Sequence, residues 1–324
     1  MNPRLLPLLA AAVLSVSIAV AADAPKKIVF VAGPNDHGMP PAHQYQAALE
    51  GIKYAFDHST NLKNVTTKLY IGKLPDDLSE ISDAAVIVIH GSADRTPAET
   101  HAIFPLHVTP ETTTYTPEEA ARLDKIDQLM KKGLGLVVLH YSDNVRHPIA
   151  RKYFLDWVGG YHETNYSKTL VQGAWEMGVP NPQHPIARGV KPWKIGSEEF
   201  NLVQRLPDDP RRTLLFTAQS PSAAAGTPGA TPDPISWAVQ RAGGGRGFVY
   251  TGLHFHAYLS DPDNRTAILN GIAWAAGIEI PAEGVQGPMP EGFPTGVPSR
   301  GGGRGRGPGG AAPVTPAAPA PKGN

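Results

Sequence analysis

Residues 116–140 read TPEEAARLDKIDQLMKKGLGLVVLH, and this stretch decides the fold. Thr116-Pro117-Glu118-Glu119 is a capping box with proline at the first helical position; Leu123, Ile126 and Met130 share one helical face, and Gly133 supplies a stop. The chain then runs directly into Leu134–His140, LGLVVLH, which is apolar without alternation. A capped helix followed at once by a strand apolar on both faces is the unit of a parallel sheet with helices on both sides.

Outward from this unit the alternation continues. Lys27–Val31 (KIVFV) predicts a buried strand ending at Gly33-Pro34, and Tyr45, Leu49, Ile52 and Phe56 give an amphipathic helix over 42–58. Val65–Ile71 and Ala84–His90 predict strands, and Pro148–Val158 predicts a helix closed by Gly159-Gly160. Further on, Thr213–Thr217, Pro234–Val239 and Gly247–Thr251 read as strands, the second an edge strand because of its proline. Asp261–Ala276 is the last helix, ended by Gly277. Gly91–Tyr115 and Thr217–Asp233 are long loops; the second reads as a mobile surface loop and the first has a length often used to cover a site. The expected class is α/β, with a mostly parallel sheet and helices on both faces.

The ends differ from this core. Residues 1–22 carry Arg4 as a basic n-region, an apolar run Leu5–Val20 and an Ala19-Val20-Ala21 cleavage pattern, which predicts a signal peptide and an exported, periplasmic or secreted protein. Residues 287–324 hold 11 glycines and 9 prolines in 38 positions, a composition expected to stay disordered; the basic run Arg300–Arg306 within it reads as a solvated tail. One domain is expected over 23–286. Across 324 residues, 29 Lys and Arg balance 29 Asp and Glu, so neither nucleic acid nor an anionic membrane is an expected partner. With no Cys, disulfides, thiolate metal sites and cysteine nucleophiles are excluded.

Open α/β sheets bind ligands at the carboxyl ends of their strands. At that rim the sequence delivers Asn35-Asp36-His37, His90, His140-Tyr141 and His254-Phe255-His256. Imidazoles from separate strands suit a metal site or an acid/base site, since imidazole both ligates metals and titrates near neutrality. Tyr161-His162-Glu163 and Ser197-Glu198-Glu199 add carboxylates, and extended backbone allows only one of Glu198 and Glu199 to face the rim. His184-Pro185-Ile186 reads as a structural turn.

The ordered set Gly135–His140, Gly159–Glu163, His184–Gly189, Glu198–Phe200, Gly245–Gly252 and Asn270–Gly277 resembles the ThuA-like (trehalose-utilisation) proteins over about Lys27–Ile280. The resemblance implies a flavodoxin-like, doubly wound fold related to class I glutamine amidotransferases, and a link to disaccharide or modified-sugar metabolism. Where the amidotransferases carry a nucleophilic Cys, this chain has His140-Tyr141-Ser142, so amidotransferase chemistry is excluded. His254-Phe255-His256 replaces the lone Gly-His of the family, leaving two candidates for one position.

Three functions are compatible with these residues. The first is a sugar isomerase, lyase or hydrolase assisted by a divalent metal such as zinc or manganese, with no nucleotide or flavin. His140, Glu163 and His256 are its expected ligands, His37 or His254 with Glu199 its proton carriers, and Asn35, Asp36, Tyr141, His162 and Phe255 its substrate contacts. The second is a metal-free His/Glu acid-base enzyme. The third is a carbohydrate binder stacking Tyr141, Trp157, Tyr161, Trp175 or Phe255 on a sugar, although Trp157 shares a helical face with Phe154 and fits a core.

Overall fold

A computed structural model describes residues 24–35, 40–93, 101–105 and 114–296. The signal sequence, Asp36, His37 and the Arg300–Arg306 run lie outside the described residues. The elements in chain order are β1 (Lys26–Ala32), α1 (Tyr45–Asp57), β2 (Val65–Ile71), β3 (Ala84–His90), α2 (Pro117–Lys131), β4 (Gly135–Leu139), α3 (Pro148–Val158), β5 (Lys168–Gln172), β6 (Trp175–Gly178), β7 (Trp193–Ile195), β8 (Glu198–Leu202), β9 (Arg212–Gln219), β10 (Asp233–Gln240), β11 (Arg246–Tyr250) and α4 (Pro262–Ala275).

Nine strands form one mixed sheet in the order β2-β1-β3-β4-β11-β10-β9-β6-β7. The half from β2 to β11 is parallel, and the half from β11 to β7 is antiparallel. Strands β5 and β8 pair separately, antiparallel. Alternation along each strand divides the core in two. Phe30, Val88, Val137 and Phe248 pack with α1 and α4 on one face. Val31, Ile87, Val138 and Val249 pack with α2 and α3 on the other. Among the described residues no helix is long and apolar enough to cross a membrane.

The helix signals act as the sequence indicates. Thr116 and Glu119 close the capping box of α2 reciprocally, and Gly159 ends α3 in the left-handed region at φ 73°. The two His-Pro-Ile sequences turn out to be the same device. In each, Nδ1 of His147 or His184 accepts the backbone N–H of Ile149 or Ile186, at 3.1 and 3.2 Å, with proline at the first helical position. His184→Ala should therefore cost about 1 kcal/mol in urea unfolding, and His184→Asn should recover most of it, since both effects belong to an N-cap. Equal losses in the two variants would assign His184 another role.

Three expectations are corrected. Strand β10 is internal, between β11 and β9; Pro234 is accommodated because the register with β9 shifts just after it. The 217–233 segment is not a free loop: β9 extends to Gln219, Ser220 N–H bonds to Gly229 O, and Gly229 packs on Trp175. The tail begins later than Gly287, because Met289 packs on the core and the Phe293 ring lies against Gly51 of α1, where a Cβ would stand 2.7 Å from it.

Beside the parallel strands, the turns after β1 and β3 nearly touch. A Cβ on Gly33 would meet Gly91 Cα at 2.7 Å, and one on Gly91 would meet Gly33 Cα at 2.9 Å. Glycine at both positions lets the two turns close next to the ends of β4 and β11, where the functional side chains gather.

Candidate functional site

Four side chains from four segments converge: His43 from the turn before α1, His140 after β4, Glu199 on β8 and His254 after β11. One ligand atom from each lies within 4.8 Å of the others. His254 Nδ1 is 3.3 Å from His140 Nε2 and 3.5 Å from Glu199 Oε1, while His140 Nε2 is 4.0 Å from Glu199 Oε1. Ligands about 2.1 Å from a tetrahedral zinc stand about 3.4 Å apart, so these separations fit a metal with little adjustment. The group could hold a metal ion.

Backbone geometry aims these rings. His43 and His140 have φ of 52° and 48°, and Leu253, immediately before His254, has 81°. Left-handed backbone costs a non-glycine residue roughly 1–2 kcal/mol, and such strain concentrates at functional sites. His43 N–H donates to His254 O at 3.0 Å, and Ala42 bridges to Phe255, so the two loops that supply these rings are stitched together. His43 then meets His254 edge-on, with ring centroids 4.3 Å apart.

The tautomer of His140 is also fixed. Its Nδ1 lies 3.1 Å from Thr251 O, a partner that can only accept, so Nδ1 carries the hydrogen and Nε2 presents a lone pair to the cluster. Burial, reinforced by His254, His43 and His90, holds the ring far below the ordinary imidazole pKa and hence neutral, the form that ligates metal.

Two acids close in sequence to the cluster residues are fully buried. Glu198 is fully buried, and burial pushes its carboxyl well above the usual carboxylate range; its Oε1 accepts the Glu199 N–H at 2.7 Å. Asp143 is likewise buried and pushed up, and accepts from Asn201 Nδ2 at 2.8 Å. Of the adjacent glutamates, only Glu199 lines the cavity.

That cavity, of about 460 Å³, opens over the cluster. His43 and Glu199 of the cluster line it, together with Tyr141, Asn144, His162, Thr164, Ser167, Lys168 and Thr169. Burial depresses His162 to about 4, leaving it neutral. Of the expected substrate contacts, Tyr141 and His162 line the cavity, whereas exposed Asn35 and buried Phe255, packed edge-on against His254, do not.

The structure does not bring two expected ligands to the cluster. Glu163 faces away, clamped between Arg151 Nη1 at 3.2 Å and Arg205 Nε. His256 opens a short 3-10 turn and packs on Phe293, so His254 is the member of the His-Phe-His sequence that reaches the site. Ser142 is buried and ties the turn after β3: its hydroxyl accepts Gly91 N–H at 2.7 Å and donates to Gly91 O at 3.0 Å. Trp175 is wholly buried in the core, as is Trp157. His43 is the residue sequence reasoning missed. The proline pair before it disfavours helix up to that point and was the available sign that it belongs to the rim loop.

No curated protein matches the chain. A ThuA-like protein of Parabacteroides merdae superposes with TM-score 0.51 at 17% identity, covering 84% of this chain and 95% of its own. One from Bacteroides uniformis gives 0.50 at 14% identity, covering 80% and 95%. At such identities the likeness concerns the fold. The ThuA family profile, described as trehalose utilisation, matches residues 86–275, well over half of the sequence, and the chain belongs to that family.

Proposed function

We propose that this chain is an exported, metal-assisted enzyme of disaccharide or keto-sugar metabolism, with His43, His140, His254 and Glu199 holding the ion. The observation that carries this reading is the His140 imidazole: buried, neutral, locked by Thr251 and presenting Nε2 to two imidazoles and one carboxylate. Such a donor set favours zinc or another transition metal over magnesium or calcium, which prefer all-oxygen shells. When bound, the ion would supply Lewis acidity toward a carbonyl or a pair of sugar hydroxyls.

The remaining steps belong to the chain. His162 and Tyr141 orient the sugar in the cavity, and buried Glu198 accepts the Glu199 N–H and so holds that backbone in place. The family's trehalose-utilisation description supports a carbohydrate ligand. Of the five aromatics a pure binder could stack on a sugar, Tyr141 lines the cavity while Trp157 and Trp175 are packed in the core, which weighs against binding alone. The parallel order β2-β1-β3-β4-β11 supports a flavodoxin-like reading of that half. Residues 1–22 support export.

A second reading rests on the same 3.3 and 3.5 Å contacts: without metal, His254 Nδ1–H donates to His140 Nε2 beside Glu199, a proton-sharing group for acid-base chemistry. Screening keto-sugars and disaccharides with the purified chain separates the two. The metal reading expects turnover that is lost with chelator, restored by zinc or manganese, and reduced at least about 100-fold in Glu199→Gln. Chelator-insensitive turnover with a bell-shaped pH profile would establish the second reading instead.

A further inference from the structure

Among the described residues that line the cavity, Lys168 is the one Lys or Arg. Glu163 does not line it; the carboxylate is held between Arg151 and Arg205. Lys168, exposed and lining the cavity, makes no ion pair with a carboxylate among the described residues. Arg146 adds a further cation, its Nε donating to Thr164 Oγ1 at 3.2 Å.

The hydrogen bonds of the wall have a direction. Because Thr164 Oγ1 accepts from Arg146, its own hydrogen goes to Asn144 Oδ1, 3.3 Å away. The Asn144 carbonyl accepts that hydrogen, and its NH₂ group remains a donor on a residue that lines the cavity with Thr164. A ligand therefore meets donors here, an amide NH₂ and an ammonium. The acid that lines the cavity is Glu199, in the histidine cluster; Asp143 is buried and bonded to Asn201.

We propose, resting on the carbohydrate reading of this cavity, that its ligand is an anionic sugar, whose carboxylate or phosphate is bound by Lys168 and Asn144 while its hydroxyls face the histidine cluster. A neutral sugar would leave the ammonium and the amide with water alone. The cavity's ≈ 460 Å³ falls among small-ligand sites, about 300–1,000 Å³, and accommodates such a molecule.

Calorimetric titration of the metal-loaded protein with glucuronate, glucose 6-phosphate and trehalose tests this, in wild type, Lys168→Met and Lys168→Arg. Wild type should prefer one of the anionic sugars over trehalose by about tenfold or more, the worth of a hydrogen bond to a charged group. The preference should vanish in Lys168→Met and survive in Lys168→Arg. Preference for glucuronate identifies a carboxylate, and preference for glucose 6-phosphate a phosphate; both support the proposal. Trehalose binding as tightly as both anions, or a preference that persists in Lys168→Met, overturns it while leaving the sugar site intact. Failure of all three to bind would overturn the anionic-sugar proposal together with the carbohydrate reading beneath it.

Discussion

His140→Ala should purify without metal, whereas His256→Ala should carry as much as the wild type. The contrast follows from position. His140 presents a fixed lone pair to three other ligand groups, while His256 packs on Phe293 outside the cluster. Removing a residue that hydrogen-bonds a metal ligand typically weakens binding about 10–100-fold, so loss of the ligand itself should weaken it by about 100-fold or more. Elemental analysis reads this directly. A thermal shift provides a second measure, because a ligand at 100 times its Kd stabilises the folded state by about 2.7 kcal/mol, an increment that chelator should remove from wild type and not from His140→Ala. Alanine also loses the hydrogen bond to Thr251 and occupies a position at φ 48°, so His140→Asn, which tolerates that backbone, is the control for folding. Metal retained in His140→Asn and His140→Ala alike would mean that the histidines pack rather than ligate.

How much of this was legible in the sequence depends on the length of each signal. Strands β1, β3 and β4 are continuous apolar runs and helices α2 and α3 carry explicit caps, so the parallel half could be read locally. Strands β6 and β7 have four and three residues and alternate only as WEMG and WKI, too briefly for a period to show. Strand β5 is largely exposed and takes its place from pairing with β8, thirty residues away.

The site divides the same way. His140 and His254 follow buried strands and were found by that rule. Glu163 looked like a ligand because nothing local reveals that the guanidiniums of Arg151 and Arg205 converge on it. Likewise, His254 and His256 cannot be told apart by spacing. The backbone bond from His43 to the His254 carbonyl holds one ring in the cluster, and the 3-10 turn then swings the other away.

Glu198→Gln should become progressively more stable relative to wild type as pH rises above about 4. The sign follows from linkage. Burial raises the folded-state pKa of Glu198, so its contribution to stability is fully present below the unfolded value near 4.5 and is lost as pH rises through the folded one. Each pH unit within that window costs about 1.4 kcal/mol, and glutamine, having no proton to lose, avoids the cost while keeping an oxygen for the Glu199 N–H. Buried His90, depressed to about 3, acts oppositely: its contribution is present above the unfolded value of 6.5 and is lost as pH falls toward 3. Between the unfolded values of 4.5 and 6.5 the two therefore oppose each other in wild type, and removing Glu198 exposes the histidine's acid sensitivity in full. Urea unfolding of wild type and Glu198→Gln at intervals from pH 4 to 8 would show the difference growing with pH. A constant difference would mean that Glu198 is ionised in the fold, and the group that accepts the Glu199 N–H would then be a buried charge rather than a neutral acid.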